Sequence, residues 1–214
     1  MPEVVPAVLA ETPEDYEKDL NLAVSLSDRI QVDLVDGEFA QNRTINLIQS
    51  YWPEGVCADL HLMYEDPFPL IPTIISLKPH LAIVHAEASA MTLEALSSMR
   101  TQLNPLGIKL GLALLGPTTV ASAERFFDLI DHVLVFTGEL GHYGGELDSG
   151  CLAKISEIKS IDSGIEVGVD GGINDITIKE VVAAGADVFN VGGFLQKSDD
   201  PKSAYDKLTE EINR

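Results

Sequence analysis

The chain has 214 residues, with 34 Asp+Glu against 14 Lys+Arg and a formal net charge of −20. A 45% hydrophobic and 22% charged composition excludes wholesale disorder, and the acidic balance excludes nucleic acid or an anionic membrane as a partner held by general attraction to a basic surface. No apolar run approaches the ~18 residues of a membrane span. Met1-Pro2-Glu3 opens without the basic and apolar pattern of a signal peptide, so a cytoplasmic location is expected. Cys57 and Cys151 are too few for a metal cluster or a disulfide framework.

Short β-branched runs alternate with longer amphipathic ones. The first predicted strand is Val4–Leu9, followed by a helix that starts at Thr12-Pro13 and repeats Tyr16, Leu20, Ala23 and Val24 at helical spacing. Strand Arg29–Leu34 precedes a predicted helix over Thr44–Tyr51, and strand Val56–Leu62 precedes one over Pro67–Leu77. Strands Leu81–His85, Lys109–Leu114 and His132–Phe136 are followed by helices Thr92–Leu103, Val120–Ile130 and Cys151–Ile158. Strands Ile165–Val169 and Val188–Val191 enclose helix Ile176–Ala184. A last helix begins after Asp200-Pro201, with Ala204, Leu208 and Ile212 four apart.

Eight strand–helix units of about 27 residues each predict a single (β/α)8 barrel, the TIM barrel, over residues 1–214. The competing architecture is an open doubly wound sheet, which often carries a glycine-rich first turn. Here that turn reads Leu9-Ala10-Glu11-Thr12, without glycine, and the glycines gather late. In a barrel, chemistry belongs at the C-terminal ends of the strands.

Three strands carry ionisable residues there. Gln31 and Asp33 share one strand face and Val32 and Leu34 the other; a carboxylate inside an apolar strand needs a partner or a changed pKa. Asp36-Gly37 reads as turn chemistry. Asp59, His61 and Met63 share one face of the third strand, and Asp170 closes the seventh before Gly171-Gly172. Gly144-Gly145, Gly171-Gly172 and Gly192-Gly193 follow strands six, seven and eight. Glycine lets backbone N–H groups approach a ligand closely, so these pairs predict a phosphate site.

Together these segments resemble the ribulose-phosphate 3-epimerases. The similarity runs in order through Pro6-Ala7-Val8-Leu9, Gln31 to Gly37, Asp59 to Met63, Val84-His85-Ala86-Glu87-Ala88, Gly111-Leu112-Ala113, Tyr143-Gly144-Gly145, Val169 to Asn174 and Ala184-Gly185-Ala186-Asp187. The resemblance implies a barrel of the ribulose-phosphate-binding type in carbohydrate metabolism, a phosphorylated ketose as substrate and a homo-oligomer. It implies an isomerase of the pentose phosphate reactions that inverts the carbon next to a ketone, with Asp33 and Asp170 as acid and base. His61, Met63, Gly144, Gly145, Gly171, Gly172, Gly192 and Gly193 would contact the substrate or its phosphate. A divalent zinc or iron ion would be held by Asp33, His61 and Asp170.

The sequence departs from that family at two positions. Gln31 stands where the family has its first metal-binding histidine, and Ala7 where it has a serine near the substrate. A glutamine oxygen is a weak neutral donor, so metal binding is expected to be weak or absent. Glu146, in place of a neutral glutamine, would repel a nearby phosphate. His85 reads as a wall of the substrate pocket. Two other readings stay open: a different phosphosugar lyase or isomerase on the same scaffold, and a non-catalytic relative that binds a phosphorylated ligand.

Overall fold

The computed structural model describes residues 2–138, 140–143 and 145–214. Eight parallel strands close into a barrel, each bonded to the next in chain order and the last to the first. They are β1 Glu3–Val8, β2 Arg29–Val35, β3 Cys57–Met63, β4 Leu81–His85, β5 Lys109–Leu114, β6 His132–Phe136, β7 Glu166–Asp170 and β8 Val188–Val191. Every strand end lies within one residue of its sequence-based position. The helices are α1 Pro13–Leu26, α2 Ile71–Leu77, α3 Leu93–Leu103, α4 Val120–Ala123, α5 Ala153–Ile161, α6 Ile178–Ala184, α7 Gly193–Gln196 and α8 Pro201–Ile212.

The outer layer differs more from expectation. Thr44–Tyr51 is not a helix; it holds only a 3-10 turn at Leu47–Gln49. Its backbone is committed elsewhere, because Thr44 N–H donates to Val35 O and Ile45 N–H to Ala10 O at 2.9 Å. Pro67–Leu77 and Val120–Ile130 each divide into a short α-helix and a 3-10 turn, at Phe68–Leu70 and Glu124–Leu129. The capped helices behave as read. The Thr12, Thr92 and Asp200 side chains accept from the N–H groups of Asp15, Ala95 and Ser203, which fixes the starts of α1, α3 and α8.

Strand alternation sorts the core. Val32, Leu34, Leu60, Leu62 and Val167 face outward and pack under Leu20, Leu96, Met99, Ile155 and Leu208 from the helices. Inside the barrel, Leu81, Ile83, Ala113 and Leu134 form a small apolar plug. Polar layers lie at either end of it. At the strand N-termini, Arg29 donates to Asp59 and Glu166, both at 2.8 Å, and His132 Nδ1 lies 2.9 Å from Glu166. Gly168 is required there, since a Cβ would meet the His132 ring at 2.8 Å. Asp59 thus belongs to the structural end of the barrel. Burial outweighs its ion pair and pushes its carboxyl up to about 7.

Because Arg29 is the cation between Asp59 and Glu166, Arg29→Met should lower the unfolding free energy in urea by about 3–5 kcal/mol, the usual cost of breaking a buried pair. Adding Asp59→Leu should restore much of that loss.

Candidate active site

At the strand C-termini the inward positions bring polar residues picked from the sequence together with Asn190, which the sequence did not single out. β2 presents Gln31 and Asp33, β3 His61, β4 His85, β7 Asp170 and β8 Asn190, and all six are buried. Register sets the neighbours: Asp33 pairs with His61, Asp170 with Asn190, and Ala7 with Gln31.

The Gln31 amide nitrogen donates to Asp33 Oδ1 at 2.9 Å and to Asp170 Oδ2 at 2.6 Å, bridging the two carboxylates. Its Oε1 has no partner among the described residues. His61 Nδ1 lies 2.9 Å from Asp33 Oδ1 and 3.7 Å from Asp170 Oδ2. Donor atoms of Asp33, His61 and Asp170 lie within 4.8 Å of one another, a group able to hold a divalent ion. The donor set fits such an ion chemically: two carboxylates and an imidazole are ordinary ligands, and three protein ligands suffice for an open site. Gln31 presents N–H rather than oxygen to the carboxylates, so it adds no donor in this orientation.

Behind His61 runs a chain that sequence reasoning did not find. His61 Nε2 meets His85 Nε2 at 2.8 Å, and His85 Nδ1 lies 3.3 Å from Glu87, whose other oxygen accepts from Leu115 N–H. His85 does not line the cavity, which corrects its reading as a pocket wall; it is packed behind His61 instead. Burial drives its pKa down to about 4, so the ring is neutral. One nitrogen of the Nε2–Nε2 contact must donate and the other accept. When His85 Nδ1–H points to Glu87, His61 donates through Nε2 and its Nδ1 lone pair is free for a cation. When His61 Nδ1–H points to Asp33, the chain reverses.

The two carboxylates open on a cavity of about 220 Å³. Its lining includes Asp33, Met63, Asp170 and Asn190, the backbones of Gly145, Gly171, Gly172, Gly192 and Gly193, and Lys197. Gly144 lies outside the described residues. Gly171 has φ +110, and a Cβ there would sit 2.1 Å from Gly138 N, so only glycine closes this turn. Glu146 is exposed and does not line the cavity. Lys197 is a basic side chain at the rim, bonded at 3.4 Å to Tyr143 O. Tyr143 itself pins the loop after β6 across the barrel mouth. Its hydroxyl accepts from Leu9 N–H at 2.6 Å and lies 3.3 Å from both Ala7 O and Asp19 Oδ2, to either of which it can donate. Lys197 carried no sequence signal, and Tyr143 stood out only within the resemblance and not as a pin, because both contacts depend on how distant loops meet.

Burial, then the neighbouring Asp33 charge, raises the Asp170 carboxyl to about 7. One carboxyl can therefore hold a proton while the other is ionised, the state an acid–base pair needs near neutrality. Strand-end carboxyls of this kind, over a glycine-lined cavity in a closed parallel barrel, define a phosphosugar isomerase or epimerase type of enzyme. Residues 3–195 match the Ribulose-phosphate 3 epimerase family, and the chain belongs to it. Ribulose-phosphate 3-epimerase of Bacillus subtilis is 30% identical over 190 residues, covering 85% of this chain and 86% of the relative. The Mycobacterium tuberculosis enzyme of that name is 31% identical over 219 residues, covering 97% and 91%. Among solved structures, KGPDC from Streptococcus mutans superposes with a TM-score of 0.74 at 15% identity, covering 100% of this chain and 98% of that one. A 3-hexulose-6-phosphate synthase superposes with a TM-score of 0.74 at 19% identity, covering 98% and 99%. These two structural likenesses speak for the fold alone.

The raised Asp170 pKa has a stability consequence. An unfolded aspartate titrates near ~3.9, so between that pH and about 7 the folded chain holds a proton that the unfolded chain lacks, and stability falls as pH rises through this window. Asp170→Asn should flatten that fall and raise the melting temperature most at pH 8, measured by thermal denaturation without added metal.

Proposed function

We propose that the chain is a ribulose-phosphate 3-epimerase that inverts C3 of ribulose 5-phosphate by proton transfer between Asp33 and Asp170. The observation that carries this reading is the pair of buried carboxyls, Asp33 and Asp170, that open together on one cavity. In the reaction, the ionised carboxylate takes the C3 proton and the C–H electrons move into the C2 carbonyl, giving an enediolate. The protonated partner then returns a proton to the opposite face of C3, and the carbonyl re-forms. In the reverse direction the two carboxyls exchange the roles of acid and base.

Gly171-Gly172 and Gly192-Gly193 carry the phosphate on their backbones, with Gly145 in the loop above and Lys197 at the rim. Met63 bounds the sugar chain on the cavity side of β3, and His61 orients Asp33 from behind. Asp33, His61 and Asp170 would hold a divalent zinc or iron ion, which when bound supplies positive charge for the developing enediolate oxygen. The Gln31 amide bridges the carboxylates without any ion. It keeps them close by donating to both, at the cost of the fourth protein ligand.

The decisive assay follows ribulose 5-phosphate in deuterium oxide by proton NMR. Epimerisation should be accompanied by deuterium at C3, and Asp33→Asn or Asp170→Asn should each slow exchange by roughly 10²–10⁴. Absence of C3 exchange in the unaltered protein, with or without zinc, would leave a ligand-binding relative as the better reading. Elemental analysis should find less than one zinc per chain as purified, and Gln31→His should raise zinc affinity, because imidazole is a far stronger donor than an amide. A full, tightly held zinc in the unaltered protein would refute the missing-ligand argument.

A further inference from the structure

Asn190 is a buried polar residue of the cavity lining that the proposed proton transfer does not use. It sits inward on β8, is 2% exposed, and lines the cavity. Neither its Nδ2 nor its Oδ1 has a hydrogen-bond partner among the described residues. A buried amide without partners is costly, and an apolar side chain would fill the same position more stably. The neighbouring inward position on β8 is apolar Val188, so the strand itself does not demand an amide there.

Its place in the fold says what it faces. Asn190 is the register partner of Asp170, across one hydrogen-bonded strand pair, and it precedes by two residues Gly192, which lies just past the end of β8. It therefore lies between the carboxylate beside the reacting carbon and the backbone proposed to hold the phosphate. On ribulose 5-phosphate the atom between C3 and the C5 phosphate ester is C4, which carries one hydroxyl. A hydroxyl both donates and accepts, and so does a carboxamide.

We propose that Asn190 reads the C4 hydroxyl of the ketose phosphate and makes this site selective for substrates hydroxylated next to the phosphate-bearing carbon. The inference rests on the epimerase reading above. Asn190 is a specificity residue in this role: it touches the substrate and takes no part in moving the proton. Epimerisation exchanges configuration only at C3, so both partners of the reaction present the same C4 hydroxyl to it.

The test compares dissociation constants for ribulose 5-phosphate and its 4-deoxy analogue by calorimetry, in the unaltered protein and in Asn190→Leu and Asn190→Val. One neutral hydrogen bond is worth about tenfold in affinity, so the unaltered protein should prefer the hydroxylated ligand by about tenfold or more. Both variants should lose that preference, mainly by weakening on ribulose 5-phosphate. Their melting temperatures without ligand should equal or exceed that of the unaltered protein, an outcome a purely structural amide would not give. Equal binding of the two ligands by the unaltered protein, preference retained in both variants, or a lowered melting temperature in both would overturn the assignment. If ribulose 5-phosphate does not bind the unaltered protein at all, the epimerase reading falls first and takes this inference with it.

Discussion

Two carboxylates in one buried place repel each other, and much of the barrel mouth is organised around that constraint. Burial alone disfavours the charged form, and a second carboxylate nearby adds to it. Two side chains make the pair tolerable: the Gln31 amide donates to both groups and His61 faces both, while burial and the Asp33 charge raise the Asp170 carboxyl. Remove the pair and the reason for the Gln31 bridge and for the His61–His85–Glu87 chain that continues from Asp33 disappears with it. The same repulsion is what the proposed proton transfer uses, because it pushes two identical side chains toward different protonation states.

The other end of the barrel answers a similar problem differently. Arg29 supplies a permanent cation between Asp59 and Glu166, and His132 closes the cluster. That layer is sealed below the plug of Leu81, Ile83, Ala113 and Leu134, away from the cavity. A guanidinium fixed between Asp33 and Asp170 would hold both as carboxylates and remove the proton exchange proposed for them. The separation of a cation-filled layer from an acid–base layer is thus a division between stability and function along a single set of strands.

The strands were legible because their inward and outward sides differ in hydropathy. In β2, Val32 and Leu34 face the helices while Gln31 and Asp33 face the barrel interior, as period-two alternation requires. Asp36 was also legible as a turn: it accepts from Glu38 and Phe39 N–H, and Gly37 follows with φ +78. Thr44–Tyr51 misled because its spacing is helical while its backbone donors are used by β2 and the loop after β1. Helical periodicity reports a possible face, whereas tertiary hydrogen bonds decide whether the turn propagates. His85 was visible as a histidine on a strand end, but its partner Glu87 matters only through the bend that turns that side chain back toward Leu115. Asn190 carried no signal, since a lone amide in a strand has no spacing to reveal it.

A charge of −20 is unfavourable for a phosphorylated substrate at long range, yet the cavity geometry answers it. Exposed acidic groups more than ~10 Å away are largely screened at ordinary ionic strength, so the local lining decides. Glu146, the acidic residue expected to repel the phosphate, is exposed and stays out of the cavity lining. Beside Asp170 the cavity wall includes the glycine backbones of Gly171 and Gly172, and Lys197 stands at the rim, bonded to the Tyr143 carbonyl. Tyr143 in turn is pinned to Leu9 N–H and lies beside Asp19, so the loop that positions the lysine is tied to β1 and α1. Among the described residues, Asp33 and Asp170 are the acidic side chains that line the cavity, and Lys197 stands at its rim. An acidic exterior with such an interior slows encounter with an anion without forbidding its binding, which places the selectivity of this site in the cavity lining rather than in long-range attraction.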